Sequence, residues 1–292
     1  MQINWQRIEQ ELARLQDVDG GFSQAQRGII TMPDGQELFV KVGLHENTKA
    51  WAKKEIAVYR FLEKHNYPHS PRLVAANADE TGFALPAHTP AKGWDWQDNW
   101  SADRLTATMQ AMEDLAAIDL SEAERAFFSQ MNISQDDNGW RPLLAYPDKQ
   151  ATLIKKLHDM GAEDTANSID FAADCEKSEQ FVFAADTLVH YDLRADNCAW
   201  NAEAGQVRLV DWNWAQLGDK RIELAESLTH VQKSGFEIPS DLKSELSPDA
   251  LHWMAGFWFN AAATPIWPGG PEHLRGLQLL AGVTALQLSH EV

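Results

Sequence analysis

Leu188-Val189-His190-Tyr191-Asp192-Leu193-Arg194-Ala195-Asp196-Asn197 is followed, after a short polar stretch, by Gln206-Val207-Arg208-Leu209-Val210-Asp211-Trp212. Leu188 to His190 and Val207 to Val210 are short apolar runs with strand composition. Asp192 and Asn197 therefore leave one strand on a loop, five residues apart. Cys198 to Asn201, a turn at Ala202-Glu203-Ala204-Gly205, and Gln206 to Val210 read as a hairpin that delivers Asp211 back beside them. Two carboxylates and an amide then converge at one end of a small sheet, with oxygen donors suited to magnesium. Phosphoryl transfer needs such a set: one carboxylate accepts the nucleophile's proton, and an Asn and an Asp hold ions that bridge nucleotide phosphates.

His190-x-Asp192-x-x-x-x-Asn197, followed by a strand ending in Asp211-Trp212, resembles the aminoglycoside phosphotransferase and choline kinase-like family of the protein-kinase-like fold. The resemblance spans roughly Asp19 to Leu288. It implies Asp192 as catalytic base, Asn197 and Asp211 as magnesium ligands, and His190 as a brace for the catalytic loop. Gly218-Asp219 and Glu223-Leu224-Ala225 resemble the family's Gly-Asp-Pro-x-x-Asp-Leu-Ala element, with Glu223 in place of the second Asp. Tyr191 stands where the family usually has Gly, which would narrow the space beside the loop. The phosphate-covering loop would be Gly20-Gly21-Phe22-Ser23-Gln24, with Ser23 as a nucleotide contact, and it lacks the Gly-x-Gly-x-x-Gly pattern. Arg194 stands where protein kinases place a Lys that touches the transferred phosphate; a catalytic and a structural role are both open.

The first third is strand-rich with one prominent helix. Gln26 to Thr31 and Glu37 to Val42 are strand candidates joined by the turn Met32-Pro33-Asp34-Gly35. A helix from about Thr48 to Lys64 places Trp51, Glu55, Val58 and Leu62 on one face. Leu73 to Ala76 and Gly82 to Leu85 read as two further strands. Lys41 lies in an apolar strand, and a buried ammonium needs a partner. Glu55, on the inward face of the next helix, is that candidate. A strand Lys paired with a helix Glu is what kinases use to hold the α- and β-phosphates, whereas two exposed charges are the plainer alternative.

From Trp100 the pattern turns helical: Ala102 to Ile118, Gln150 to Met160, Glu163 to Lys177, Leu224 to His230, Asp249 to Ala263 and His273 to Leu288. The expected architecture is α+β and bilobal, with a nucleotide-binding lobe over residues 1–88 and a catalytic, acceptor-binding lobe over 89–292. Trp94, Trp96 and Trp100 follow the hinge and either wall the cleft or pack between lobes. Glu223 and Glu226 are read as caps or solvated faces, or as groups that meet a cationic substrate.

A net charge of −18 argues against nucleic acid as a partner. No apolar run reaches the roughly 20 residues that cross a bilayer, and the amino terminus lacks a signal-peptide layout, so the chain is expected in the cytoplasm, off membranes. Cys175 and Cys198 cannot make a disulfide framework and read as small buried residues. His65 and His69, separated by Pro68, read as loop residues rather than metal ligands. The expected partners are a nucleoside triphosphate, ATP or GTP, with Mg2+, and a small hydroxyl-bearing acceptor: aminoglycoside-like, amine, sugar or amino acid. Two alternatives stay beside this reading. One is a catalytically silent nucleotide- or ligand-binding relative, against which the intact trio Asp192, Asn197 and Asp211 argues. The other is a protein kinase, which lacks support because no Ala-Pro-Glu segment follows Asp211.

Overall fold

A computed structural model describes residues 4–18, 23–130, 133–268 and 270–292. In chain order the strands are β1 (Gln16–Asp17), β2 (Gln26–Thr31), β3 (Glu37–Val42), β4 (Ala75–Ala76), β5 (Gly82–Pro86), β6 (Thr187–Val189), β7 (Cys198–Asn201), β8 (Gln206–Leu209) and β9 (Gln216–Gly218). The helices are α1 (Trp5–Glu11), α2 (Glu46–Lys64), α3 (Ala102–Ala116), α4 (Glu122–Phe128), α5 (Trp140–Ala145) and α6 (Pro147–Asp159). They continue with α7 (Glu163–Ser168), α8 (Phe171–Glu179), α9 (Lys220–Lys233), α10 (Ser240–Lys243), α11 (Pro248–Ala263) and α12 (Leu274–Glu291). The class is α+β. The chain divides into two compact units, Met1–Asp119 with Ala195–Ala215, and Leu120–Arg194 with Gln216–Val292.

The first unit is built on an antiparallel sheet in the order β1-β2-β3-β5-β4. Gly35, at φ 84°, closes the β2–β3 turn, and its N–H donates to the Met32 carbonyl at 2.8 Å. The resulting register pairs Ile29 with Phe39 and Arg27 with Lys41. Strand alternation sends Ile30, Leu38 and Val40 to the opposite face, where they pack with Ile8 of α1, Met32 and Ala84. Helix α2 begins where the Thr48 hydroxyl accepts from the His45 N–H at 2.9 Å. It buries Ala52, Glu55, Ile56, Val58, Tyr59 and Leu62. Trp51, expected on that buried face, is 39% exposed. The hairpin β7–β8 belongs to this unit, with Cys198 opposite Leu209 and Asn201 opposite Gln206.

The second unit is helical apart from the short β6–β9 pair. Helix α11 is buried nearly all round, from Ala250 to Ala263, and packs with α5, α6, α9 and α12. The single helix expected over Glu163 to Lys177 is two, α7 and α8. Asp170 breaks it, because its carboxylate accepts from the N–H groups of Ala172 and Ala173 at 3.1 and 3.2 Å and so caps α8. Both cysteines are buried and free. Among the described residues no helix is long and apolar enough to cross a membrane.

Candidate active site

A cavity of about 340 Å³ opens in the first unit. Ile29, Phe39, Leu85 and Val210 give it apolar walls, and Lys41, Glu55, Asn197 and Asp211 line its polar end. Lys41 comes from β3, Glu55 from α2, and Asp211 from the residue that leaves β8 and Val210. The Lys41 Nζ lies 2.5 Å from Glu55 Oε1 and 2.9 Å from Asp211 Oδ1, so the three charges form one buried network. Burial works against the Lys41 charge, but Asp211 and Glu55 outweigh it and hold its pKa above the ordinary value. Burial pushes Glu55 up to about 7, against the pull of Lys41. The carboxylate of Asp211 also accepts from the Asn213 side-chain amide at 2.6 Å, and Tyr59 is hydrogen-bonded to its backbone. Asp211 has φ 64°, the left-handed region, which aspartate tolerates better than most residues.

Asn197 sits on a single 3-10 turn, Ala195–Asn197, whose placement depends on Arg104 of α3. The Arg104 guanidinium is fully buried, and its Nη2 donates to the carbonyls of Ala195 (3.1 Å) and Cys198 (2.7 Å). One nitrogen thus spans the two residues that flank Asp196 and Asn197. Its Nη1 donates to the Gln97 carbonyl at 2.6 Å and the Asn99 Oδ1 at 3.3 Å, and the group lies 4.6 Å from the Trp100 ring. From the other side, the Val210 N–H donates to the Asn197 carbonyl at 3.0 Å. Trp96 also walls the cavity and donates its indole N–H to the His88 carbonyl at 2.7 Å. Trp94 packs against the His88 ring, with centroids 4.5 Å apart.

Asp192 and Arg194 belong to the second unit. They form an ion pair, Arg194 Nε lying 3.2 Å from Asp192 Oδ1. The loop that carries them is held from α9. Glu223 Oε1 accepts from the N–H groups of His190 (2.5 Å) and Tyr191 (3.3 Å), and Glu226 Oε2 accepts from Leu193 (3.2 Å). Both acids are buried, so neither is a solvated face or a substrate-facing charge. Burial raises Glu223 to about 8. Burial presses Glu226 the same way, but its bond to His230 prevails and its pKa is lowered. Tyr191 adopts φ 57°, a conformation that suits glycine and costs a larger residue roughly 1–2 kcal/mol. Its side chain turns inward: the hydroxyl accepts from the Asp219 N–H at 2.5 Å and donates to the Asp219 carbonyl at 3.1 Å. Its ring lies against Gly218, where a Cβ would come within 2.5 Å of the Tyr191 oxygen. A glycine at 218 makes room for the tyrosine at 191.

The structure thus joins Lys41, Glu55 and Asp211 directly, sets Asn197 on the same cavity wall, and pairs Asp192 with Arg194. Ser23 is bonded to Arg27, which lines the cavity; Gly20, Gly21 and Phe22 of the expected phosphate loop lie outside the described residues. His69 binds Asp114 at 2.8 Å, and His65 ends α2. Arg104 and the loop-holding role of Glu226 were not anticipated. The available signal for Arg104 was a charged residue on the face of α3 shared with Leu105, Thr108, Met112 and Leu115.

A two-unit α+β chain with a strand lysine, a helix glutamate and a hairpin aspartate in one network is a kinase-type phosphotransferase, with an alcohol group as acceptor. The model of the phosphotransferase enzyme family matches residues 14–255, and the chain belongs to that family. Among solved structures it is similar to spectinomycin phosphotransferase APH(9)-Ia in complex with ADP and spectinomycin, at 12% identity, covering 94% of this chain and 92% of that one, TM-score 0.61. An aminoglycoside phosphotransferase from Alicyclobacillus acidocaldarius subsp. acidocaldarius DSM 446 gives 12% identity, 94% and 91% coverage and TM-score 0.57. Choline kinase LicA from Streptococcus pneumoniae gives 10% identity, 97% and 95% coverage and TM-score 0.54. At these identities the likeness concerns the fold. Among curated proteins, no relative matches.

Proposed function

We propose that this protein transfers the γ-phosphate of ATP or GTP to a hydroxyl of a small-molecule acceptor. The observation that carries the reading is the Lys41–Glu55–Asp211 network at the polar end of a cavity with apolar walls of Ile29, Phe39, Leu85 and Val210. In this reading residues 1–88 form the nucleotide-binding lobe, and 89–292 supply the catalytic loop and acceptor pocket. Lys41, fixed by Glu55, orients the α- and β-phosphates, and Ser23 approaches them from the covering loop. Asp192 accepts the acceptor's proton as transfer proceeds, and Arg194, ion-paired with it, neutralises charge beside it. Similarity to phosphotransferases solved with ADP supports the nucleotide. The acceptor class stays broad: aminoglycoside-like, amine, sugar or amino acid.

The donor set fits magnesium. Asn197 and Asp211 offer oxygens on one wall, and no group of three or more His, Cys, Asp or Glu among the described residues forms a metal site alone. A small hard cation that keeps waters and shares substrate phosphates needs only such a partial set. Bound there, it would neutralise charge on the phosphates. Calorimetry should show magnesium-dependent tightening of ATP binding that Asp211→Ala abolishes, and Asp192→Asn should lose most turnover on an acceptor found by screening amines, sugars and antibiotics. ATP affinity indifferent to magnesium in the wild type, or full turnover in Asp192→Asn, refutes the respective role.

A further inference from the structure

The cavity wall formed by β2 and β3 is laid out in two rows. Ile29 and Phe39 are direct partners in the antiparallel register, and so are Arg27 and Lys41. All four line the cavity, as they must, because directly opposed residues share a face and residues two apart on one strand do too. The first row is apolar and the second is cationic. An apolar row beside a cationic row matches a nucleotide, whose flat base and charged phosphates occupy opposite ends.

Charge shows why one lysine does not suffice. Lys41 is already engaged by Glu55 and Asp211. Among the described residues, the charged groups on the wall are two cations, Arg27 and Lys41, and three carboxylates, Glu55, Asp196 and Asp211. His88 adds no charge near neutrality, since burial lowers its pKa to about 4. A triphosphate therefore enters a site with no cationic excess of its own. Among the described residues, Arg27 is the second cation on the wall, carried by β2 opposite Lys41. It is half-buried, and its Nη1 donates to the neutral Ser23 hydroxyl at 3.2 Å, which holds the guanidinium at the end of Gly20 to Gln24. That loop lacks the glycine spacing by which a backbone wraps phosphates closely. A guanidinium supplies a fork of N–H donors matched to phosphate oxygens.

We propose that Arg27 is a second phosphate-binding cation, contacting the nucleotide's phosphates beside Lys41 and doing with a side chain what a glycine-rich loop does with its amides. This deepens the nucleotide reading above and rests on it. The test uses the full chain and calorimetry with the nucleoside, its diphosphate and its triphosphate, in the adenine and guanine series, for wild type, Arg27→Met, Arg27→Lys and Lys41→Met. In Arg27→Met, nucleoside affinity should stay within about twofold while triphosphate affinity falls about tenfold or more, the scale of a lost charge-assisted hydrogen bond. Arg27→Lys should recover part of the loss, and triphosphate binding by Arg27→Met should depend less on salt than in wild type. An equal loss for nucleoside and triphosphate would make Arg27 merely structural and overturn the proposal. So would unchanged triphosphate affinity in Arg27→Met alongside a loss in Lys41→Met. If Lys41→Met also leaves triphosphate affinity unchanged, the nucleotide site itself is misread.

Discussion

Replacing Arg104 by methionine tests whether the turn bearing Asn197 is held by a buried cation. Methionine keeps much of the aliphatic stem's bulk but removes every donor. Five acceptors then lose a charged partner: the carbonyls of Gln97, Asn99, Ala195 and Cys198, and the Asn99 side-chain oxygen. A buried acceptor left unsatisfied costs about 1–3 kcal/mol. Two terms act the other way. The native guanidinium has only neutral partners among these contacts, so its removal recovers desolvation energy. The Gln97 and Asn99 groups also lie nearer the start of α3, where small shifts admit water. With the Ala195 and Cys198 carbonyls dominating, and the Trp100 contact worth about 0.5–1 kcal/mol, the net loss should be about 3 kcal/mol.

Urea denaturation followed by tryptophan fluorescence measures this, the loss falling on the transition of the unit containing α3, because a two-unit chain need not unfold in one step. Arg104→Lys should lose less, since an ammonium reaches one or two of the same carbonyls. The displaced turn should weaken magnesium-dependent ATP binding more than magnesium-free binding, because Asn197 moves while the apolar wall does not. A loss below about 1 kcal/mol with ATP binding intact would show that the turn holds without the guanidinium.

Glu223 makes a pH-dependent prediction. Burial raises its pKa from the ordinary 4.5 to about 8, so the folded chain binds that proton more tightly than the unfolded chain. Stability contributed by the protonated acid is then lost as pH rises towards 8. His88 and His252, both lowered to about 4 by burial, act in the opposite sense only below about pH 6.5. Between pH 6.5 and 8 the wild type should therefore lose stability to urea more steeply than Glu223→Gln; parallel profiles refute the assignment. Tyr191→Phe should lower the melting temperature by about 2–6 °C, because both bonds to the Asp219 backbone disappear at the start of α9. An unchanged melt would mean that the ring alone pays for the strained backbone.

Lys41 and Glu55 were legible because local pattern determines them. Lys41 stands in the apolar run Leu38-Phe39-Val40-Lys41-Val42, where a charge needs a partner, and the next helix carries Glu55 on its inward face. Asp211 was legible for a similar reason, as the polar residue that ends a short apolar strand. Asp170 was misread because a capping carboxylate and a solvated helical one look alike until the backbone groups around them are assigned. Glu226 was misread for a related reason. Its partner, the Leu193 N–H, is 33 residues away, and no periodicity in α9 points to it. Trp51 shows the limit of helical spacing. It shares a face with Glu55 and Val58, yet burial requires a neighbour as well as an angle.

The motif from His190 to Asn197 is anchored at both ends by buried side chains that lie outside it, two acids and a guanidinium. Its first half hangs from the carboxylates of Glu223 and Glu226 on α9, and its second half from the guanidinium of Arg104 on α3. The division of the chain into two units falls inside the motif, between Arg194 and Ala195. Each half is thus fastened to a helix of its own unit, acid to backbone N–H on one side and cation to backbone carbonyl on the other. Backbone anchoring of this kind constrains where the loop runs without constraining which side chains it presents. That explains how Tyr191 can stand where the resemblance implies Gly while Asp192 and Asn197 keep the spacing that carries it. Substitutions at Arg104 or Glu226 should therefore displace the loop and impair nucleotide and metal affinity or turnover without altering any residue of the motif.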